Sequence, residues 1–198
     1  MAEPTISLAA LLARGLAVFP IPAGSKLAPG GWQARASADP HQSWPQGSNI
    51  GVGCRASNLV VLDLDRKDGV DGVAALAALA AERAQPWSDT FTVATGGGGL
   101  HLYFAAPAWT VVSSIGTFAA GVDVRAPGRT LGGYVVGPGS VVEGRPYTVA
   151  ADLPVRALPG WIARRLRHQV PGLHRPTGPK TGHVRITRPS SDQERSRP

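Results

Sequence analysis

The sequence predicts an α/β (α+β) domain made mostly of short strands, and three observations carry that reading. The 198 residues include 25 Gly and 18 Pro, a turn-rich composition that rules out a bundle of long helices. Several runs, among them Leu59–Leu64, Leu100–Ala105 and Gly121–Arg125, set polar side chains at alternate positions among strand formers. Helical apolar spacing is confined to three stretches, near the start, after Asp71 and after Pro159.

From the start of the chain, Thr5 or Ser7 begins a short helix over Ser7–Arg14 that Gly15 stops, and Leu16–Pro20 follows as a strand. A Pro- and Gly-rich loop then runs to about Asn49 and holds Lys26, Trp32 and Trp44. A loop of that length without regular structure points to function; its tryptophans either stack on bases or cover the edge of the core. Strands follow at Ile50–Gly53 and Leu59–Leu64, joined by the turn residues Arg55–Asn58. Asp71 caps an alanine-rich helix whose stripe is Val73, Leu76, Leu79 and Ala80 and which ends near Gln85-Pro86. Phe91–Thr95 and Leu100–Ala105 form a hairpin around Gly96–Gly99, with His101 and Tyr103 on one face of the second strand and Leu102 and Phe104 on the other. Shorter strands are expected at Gly121–Arg125, Gly133–Val136 and Pro146–Val149. Pro159 opens a last helix that turns Trp161, Ile162 and Leu166 inward and Arg164, Arg165 and Arg167 outward.

Composition bounds the possibilities further. The length suits one folded unit over residues 1–169, followed by a basic Pro-, Arg- and Ser-rich tail or linker over 170–198 that is expected to be disordered. Six Lys or Arg against two acids from Pro171 onward supply more than half of the net charge of +7, a balance that suits a polyanion such as nucleic acid or simply a solvated terminus. The single cysteine, Cys54, excludes an internal disulfide and a multi-cysteine zinc site, and is read as a small buried residue. Met1-Ala-Glu-Pro has no basic segment of a secretory signal, and no run of about 18 apolar residues occurs. The expected location is the cytoplasm, with no membrane partner.

The chemistry concentrates in three segments. In Leu59-Val-Val-Leu-Asp-Leu-Asp65 the period of two puts Asp63 and Asp65 on one face, where two like charges repel unless a cation sits between them. Gly121-Val-Asp-Val-Arg125 offers a third carboxylate, Asp123, and the three acids together suit Mg²⁺ or Mn²⁺. Such acids serve polymerases and nucleases alike; an Asp-x-Asp pair by itself also serves as a helix cap or as a partner for Lys and Arg. His101 follows a tetraglycine that clears side chains from the backbone, which suits contact with a phosphate or forms a plain hairpin turn; no Gly-Lys-Ser/Thr follows, so it is not a Walker A loop. Arg125 shares the face of Asp123 and either neutralises phosphate or pairs with an acid. Lys26, in Gly24-Ser-Lys26, is a phosphate contact or an exposed lysine.

In order along the chain, Gly15-Leu-Ala-Val-Phe-Pro20 with Gly24-Ser-Lys26 and Trp32, Asn49-Ile-Gly-Val-Gly53, the Asp-x-Asp strand, Thr95-Gly-Gly-Gly-Gly-Leu-His101-Leu-Tyr-Phe, Gly121-Val-Asp123-Val-Arg125 and Gly132-Gly-Tyr-Val-Val-Gly-Pro138-Gly-Ser140 make six blocks. Together they resemble the bifunctional primase/polymerase N-terminal domain, a branch of the archaeo-eukaryotic primase superfamily, from about Leu8 to Leu166. Gly139 stands where that family commonly has a second proline. The resemblance implies an RRM-like catalytic unit packed with a second small α/β unit, mixed and antiparallel sheets, and an active site in the cleft. It implies that Asp63, Asp65 and Asp123 are catalytic metal ligands, that His101 meets the phosphates of a nucleoside triphosphate, and that Lys26, Arg125 and Ser140 contact nucleotide or template. The implied activity is that of a DNA primase and DNA polymerase: Mg²⁺- or Mn²⁺-dependent nucleotidyl transfer on a single-stranded DNA template in replication, with a replicative helicase as a further partner. A catalytically inactive nucleotide or single-stranded DNA binder and a two-metal nuclease are the rival readings.

Overall fold

The protein is described here by a computed structural model that covers residues 7–168. In chain order its elements are α1 (Leu8–Ala13), β1 (Val18–Ile21), α2 (Trp32–Arg35), β2 (Asn49–Gly53), β3 (Leu59–Leu64), β4 (Arg66–Lys67), β5 (Val70–Asp71), α3 (Gly72–Ala81), β6 (Thr92–Ala94), β7 (Leu100–Ala105), β8 (Ser114–Ala119), β9 (Val122–Arg125), β10 (Tyr134–Val136), β11 (Val141–Val142), β12 (Arg145–Pro146), β13 (Thr148–Ala151), β14 (Arg156–Ala157) and α4 (Gly160–His168). The class is mixed α/β, dominated by antiparallel sheets. The main sheet runs β13-β6-β7-β3-β9-β8, with the short β14 parallel to the far end of β7. A second, three-stranded antiparallel sheet runs β1-β2-β10.

The most apolar strand, β3, lies at the centre between β7 and β9 because both of its faces are covered. On one face Val60, Leu62 and Leu64 join Leu102 and Phe104 of β7 and Val122 and Val124 of β9, and α3 and α4 cover them with Leu76, Ala80, Trp161, Ile162 and Leu166. On the other, Leu59 and Val61 join Tyr103 and Val93, closed by Leu11 of α1, Ile50 and Val52 of β2, and Cys54. Each fully buried Leu or Val side chain contributes about 1.5–3 kcal/mol of hydrophobic stabilisation. Asp63 continues the second row towards solvent, so the alternation that builds the core also aims the carboxylate.

Caps and turns follow the local chemistry. The Ser7 hydroxyl accepts from Ala10 N–H to open α1, and the Asp71 carboxylate accepts from Ala74 N–H to open α3. Helix α3 stops at Ala81, short of Gln85-Pro86, with Ala84 in a left-handed turn conformation.

The long segment before Asn49 is not bare loop. It contains α2, whose Trp32 is buried and stacks on Phe19 at 4.6 Å, while Trp44 packs against the second core. Core-edge packing, not display to bases, is what this structure gives both tryptophans. Arg165 also departs from the outward orientation: its guanidinium donates to the Phe118 carbonyl, with Nη2 at 2.7 Å, and lies over that ring. Strand β8 escapes the sequence pattern because it bulges, taking six residues from Ser114 to Ala119 against the three of Val122 to Val124 on β9. Among the described residues no helix is long and apolar enough to cross a membrane. The basic segment 170–198 lies outside the described residues.

Candidate active site

Residues directly opposite on antiparallel strands point to the same side of a sheet. Asp63 is opposite His101 on β7 and opposite Asp123 on β9, so three polar side chains form a row across the three central strands. Arg125 is opposite Val61 and reaches back along the same face.

The contacts are specific. His101 Nε2 lies 3.2 Å from Asp63 Oδ1, and Arg125 Nη2 lies 3.4 Å from Asp63 Oδ2 and 2.9 Å from Asp123 Oδ2. The remaining oxygen, Asp123 Oδ1, accepts from Gly116 N–H at 2.8 Å, which is what the β8 bulge provides. The side chains of Asp63 and Asp123 are only 16% and 10% exposed, and two bare charges there would repel strongly. Burial pushes the Asp63 carboxyl up, but the hydrogen bond and charge of His101 and the charge of Arg125 outweigh it and hold it below its ordinary value.

Asp65 sits one residue past β3 and is fixed through its backbone. Its N–H donates to Gly121 O at 2.8 Å and its carbonyl accepts from Gly72 N–H at 2.8 Å. A Cβ on Gly72 would come within 2.0 Å of the Gly121 carbonyl, so glycine there lets the start of α3 and the turn before β9 close on Asp65. The Asp65 side chain faces the rim, with Lys67 Nζ 3.3 Å away.

Compared with the models of known families, residues 8–161 match the one described as bifunctional DNA primase/polymerase, N-terminal. The chain belongs to that family. No curated protein matches it. The match in this primase/polymerase domain spans every strand and α1 to α3, and so contains all of the residues just described.

The primase/polymerase domain holds its other candidate residues in different ways. His101 is buried, its Nδ1 has no hydrogen-bond partner, and its Nε2 serves Asp63, so as placed the imidazole presents no free nitrogen to solvent. The tetraglycine is in part a packing device: a Cβ on Gly99 would come within 2.1 Å of the Leu64 carbonyl and one on Gly96 within 2.8 Å of Arg145 Cβ, while one on Gly97 would make only an ordinary contact with Thr95 Oγ1 at 3.9 Å. Lys26 is exposed, and its carbonyl accepts from the Tyr134 hydroxyl. Ser140 is fully buried, its hydroxyl accepting from Ile50 N–H at 2.8 Å, so it ties the loop after β10 to β2.

Sequence reasoning passed over four neighbours, Tyr147, Arg66, Lys67 and Gly116. Tyr147 is half-buried with its ring 5.9 Å from that of His101; burial, then the charges of Asp63 and Asp65, push its hydroxyl up. Arg66 donates to Gly98 O at 3.3 Å and ties the β4–β5 hairpin to the tetraglycine turn. For Lys67 a signal existed, since it continues the period of two beyond Asp65; for Gly116 and Tyr147 none did, because each arrives through long-range pairing.

The residues able to hold a hard divalent cation are Asp63 and Asp123, with Asp65 at the rim. Among the described residues no group of three or more His, Cys, Asp or Glu is gathered as a ready metal cage. The donors nevertheless fit in kind: all are carboxylate oxygens, and Asp63 Oδ2 and Asp123 Oδ2 already converge on one positive group, the Arg125 guanidinium.

Proposed function

We propose that this domain is a nucleotidyltransferase that extends, and in the fullest form starts, a nucleic-acid strand on a single-stranded DNA template, using nucleoside triphosphates and Mg²⁺ or Mn²⁺. The observation that carries the reading is the cross-strand pair Asp63 and Asp123, little exposed and side by side at the centre of the sheet in a chain of the primase/polymerase family. On this reading the main sheet with α3 and α4 is the RRM-like catalytic unit, the β1-β2-β10 sheet belongs to the second unit, and the substrate cleft lies between them.

In the reaction, the 3′-hydroxyl oxygen forms a bond to the α-phosphorus and loses its proton, while the bond from that phosphorus to the bridging oxygen breaks and pyrophosphate leaves. Asp63, Asp65 and Asp123 would hold the divalent ion, which would supply Lewis acidity for the transfer. The chain's own part is positional. β3 and β9 hold two carboxylates at fixed spacing, His101 and Gly116 N–H orient one oxygen of each, Arg125 offsets part of their charge, and Lys67 offsets that of Asp65. Arg125 and Lys26 are the groups assigned to the phosphates, with His101 at their side and its Nε2 kept on Asp63; Ser140 supports the loop beside them. A replicative helicase is the assigned partner and the cytoplasm the assigned location.

The test is synthesis by Asp63→Asn and Asp123→Asn variants. Both are expected to lose incorporation of labelled nucleotide to background while binding single-stranded DNA as well as, or better than, the parent protein, since each removes a negative charge facing a polyanion. Synthesis retained in both would overturn the assignment, and a template cut instead of copied would favour a nuclease.

A further inference from the structure

We propose that Arg125 is the resident counter-cation of the acidic pair, and that it exchanges Asp63 and Asp123 for the phosphates of a nucleotide when a divalent ion enters. The inference rests on the metal-dependent reading above and adds an order of events to it.

Each of the four carboxylate oxygens of Asp63 and Asp123 has one protein partner, and the partners differ in kind. The two Oδ1 atoms are held from the side by groups fixed in the sheet, His101 Nε2 on β7 and Gly116 N–H on β8. The two Oδ2 atoms share a single atom, Arg125 Nη2, at 3.4 and 2.9 Å. Withdrawal of the guanidinium therefore frees two oxygens that face a common point, while the contacts that orient the carboxylates stay in place.

The guanidinium is also the mobile member of the set. It ends a flexible side chain at the last residue of β9, and at 29% it is more exposed than either acid. With Arg125 in place one of the pair's two negative charges is offset, and an incoming cation must compete with it. Once displaced, the planar fork remains beside the site and suits bidentate binding of a phosphate. Metal and nucleotide entry are then coupled, because the nucleotide gives the displaced arginine a new partner.

The experiment measures Mn²⁺ binding to the full chain by the loss of the free-ion electron paramagnetic resonance signal, without nucleotide, and then binding of a fluorescent deoxynucleoside triphosphate at saturating Mn²⁺. R125Q is expected to bind Mn²⁺ about tenfold tighter than the parent protein and the nucleotide about tenfold more weakly, which is one step of about 1.4 kcal/mol in each direction. A structural arginine would not move the two affinities in opposite directions. Equal or weaker Mn²⁺ binding by R125Q with an unchanged circular dichroism spectrum overturns the exchange. If R125Q does not fold, R125M, which keeps the apolar stem and removes the charge, decides: tighter Mn²⁺ binding than the parent supports the exchange, and equal or weaker binding overturns it. Asp63→Asn separates the two levels of failure. Mn²⁺ binding lost there but unchanged in R125Q sinks only the exchange, whereas no Mn²⁺ binding by the parent, or full binding by Asp63→Asn, sinks the metal-dependent reading and the exchange with it.

Discussion

Asp63 and Asp123 face each other across the β3–β9 pairing at the centre of the main sheet, and a single guanidinium nitrogen of Arg125 touches both carboxylates. Two acids so close and so little exposed are unfavourable unless positive charge or hydrogen-bond donors meet them. Arg125, His101 and the Gly116 N–H do so here. The arrangement joins a stability requirement to a chemical one, because the oxygens that need a cation for stability are those that offer one a binding site.

The lowered titration of Asp63 fixes the sign of one pH effect. Its folded value lies below the ordinary value of about 3.9, so its ionised form stabilises the fold, fully above that value and progressively less as pH falls through the folded value. Urea unfolding of the parent protein between about pH 5 and pH 2 is expected to show this loss. In Asp63→Asn the same pH step is expected to shrink; an unchanged step would mean that Asp63 is not held ionised by His101 and Arg125.

Gly99→Ala and Gly97→Ala separate packing from ligand access within one turn. A Cβ at 99 meets the Leu64 carbonyl at 2.1 Å, so Gly99→Ala is expected to cost about 1–3 kcal/mol of stability. Gly97 has nothing closer than Thr95 Oγ1 at 3.9 Å, and its substitution is expected to change stability by less than about 0.5 kcal/mol. If the turn lies against the triphosphate, Gly97→Ala raises KM for nucleotide with the melting temperature unmoved; an unaltered KM removes the turn from the binding site.

Ser140 offers a similar separation. Ser140→Ala strands the buried Ile50 N–H and is expected to cost about 1–3 kcal/mol. Nucleotide affinity measured well below the melting temperature is expected to change little, and a loss there without loss of stability would make Ser140 a direct ligand contact.

Cys54 reports on the integrity of the core beneath the site. Burial pushes its thiol up to about 12, only partly offset by Arg125, so the native thiol is expected to resist a disulfide reagent at pH 8 and to react at the rate of global unfolding. Rapid labelling of the folded protein would show the core beside Tyr103 to be open.

Much of this was legible because the decisive signals were local. The bounds of β3, the cap at Asp71 and the split of His101 and Tyr103 from Leu102 and Phe104 follow from a period of two or a single side-chain hydrogen bond. What stayed hidden depended on distant partners. The β8 bulge that brings Gly116 to Asp123 has no regular alternation, and Trp32 reads as a loop residue until Phe19 is beside it. The shared face of Asp123 and Arg125 was legible from spacing, but whether that guanidinium meets phosphate or acid was not, because the answer lies on β3.

The most direct test of nucleotidyl transfer is incorporation of labelled deoxynucleotides and ribonucleotides on a single-stranded template with Mn²⁺ or Mg²⁺, with and without an annealed primer. Metal-dependent product that follows the template sequence is expected, with primer-free product marking a primase and primer-dependent product alone marking a polymerase. No product under either condition, with the template bound and undegraded, would contradict enzymatic synthesis and leave a nucleic-acid-binding module.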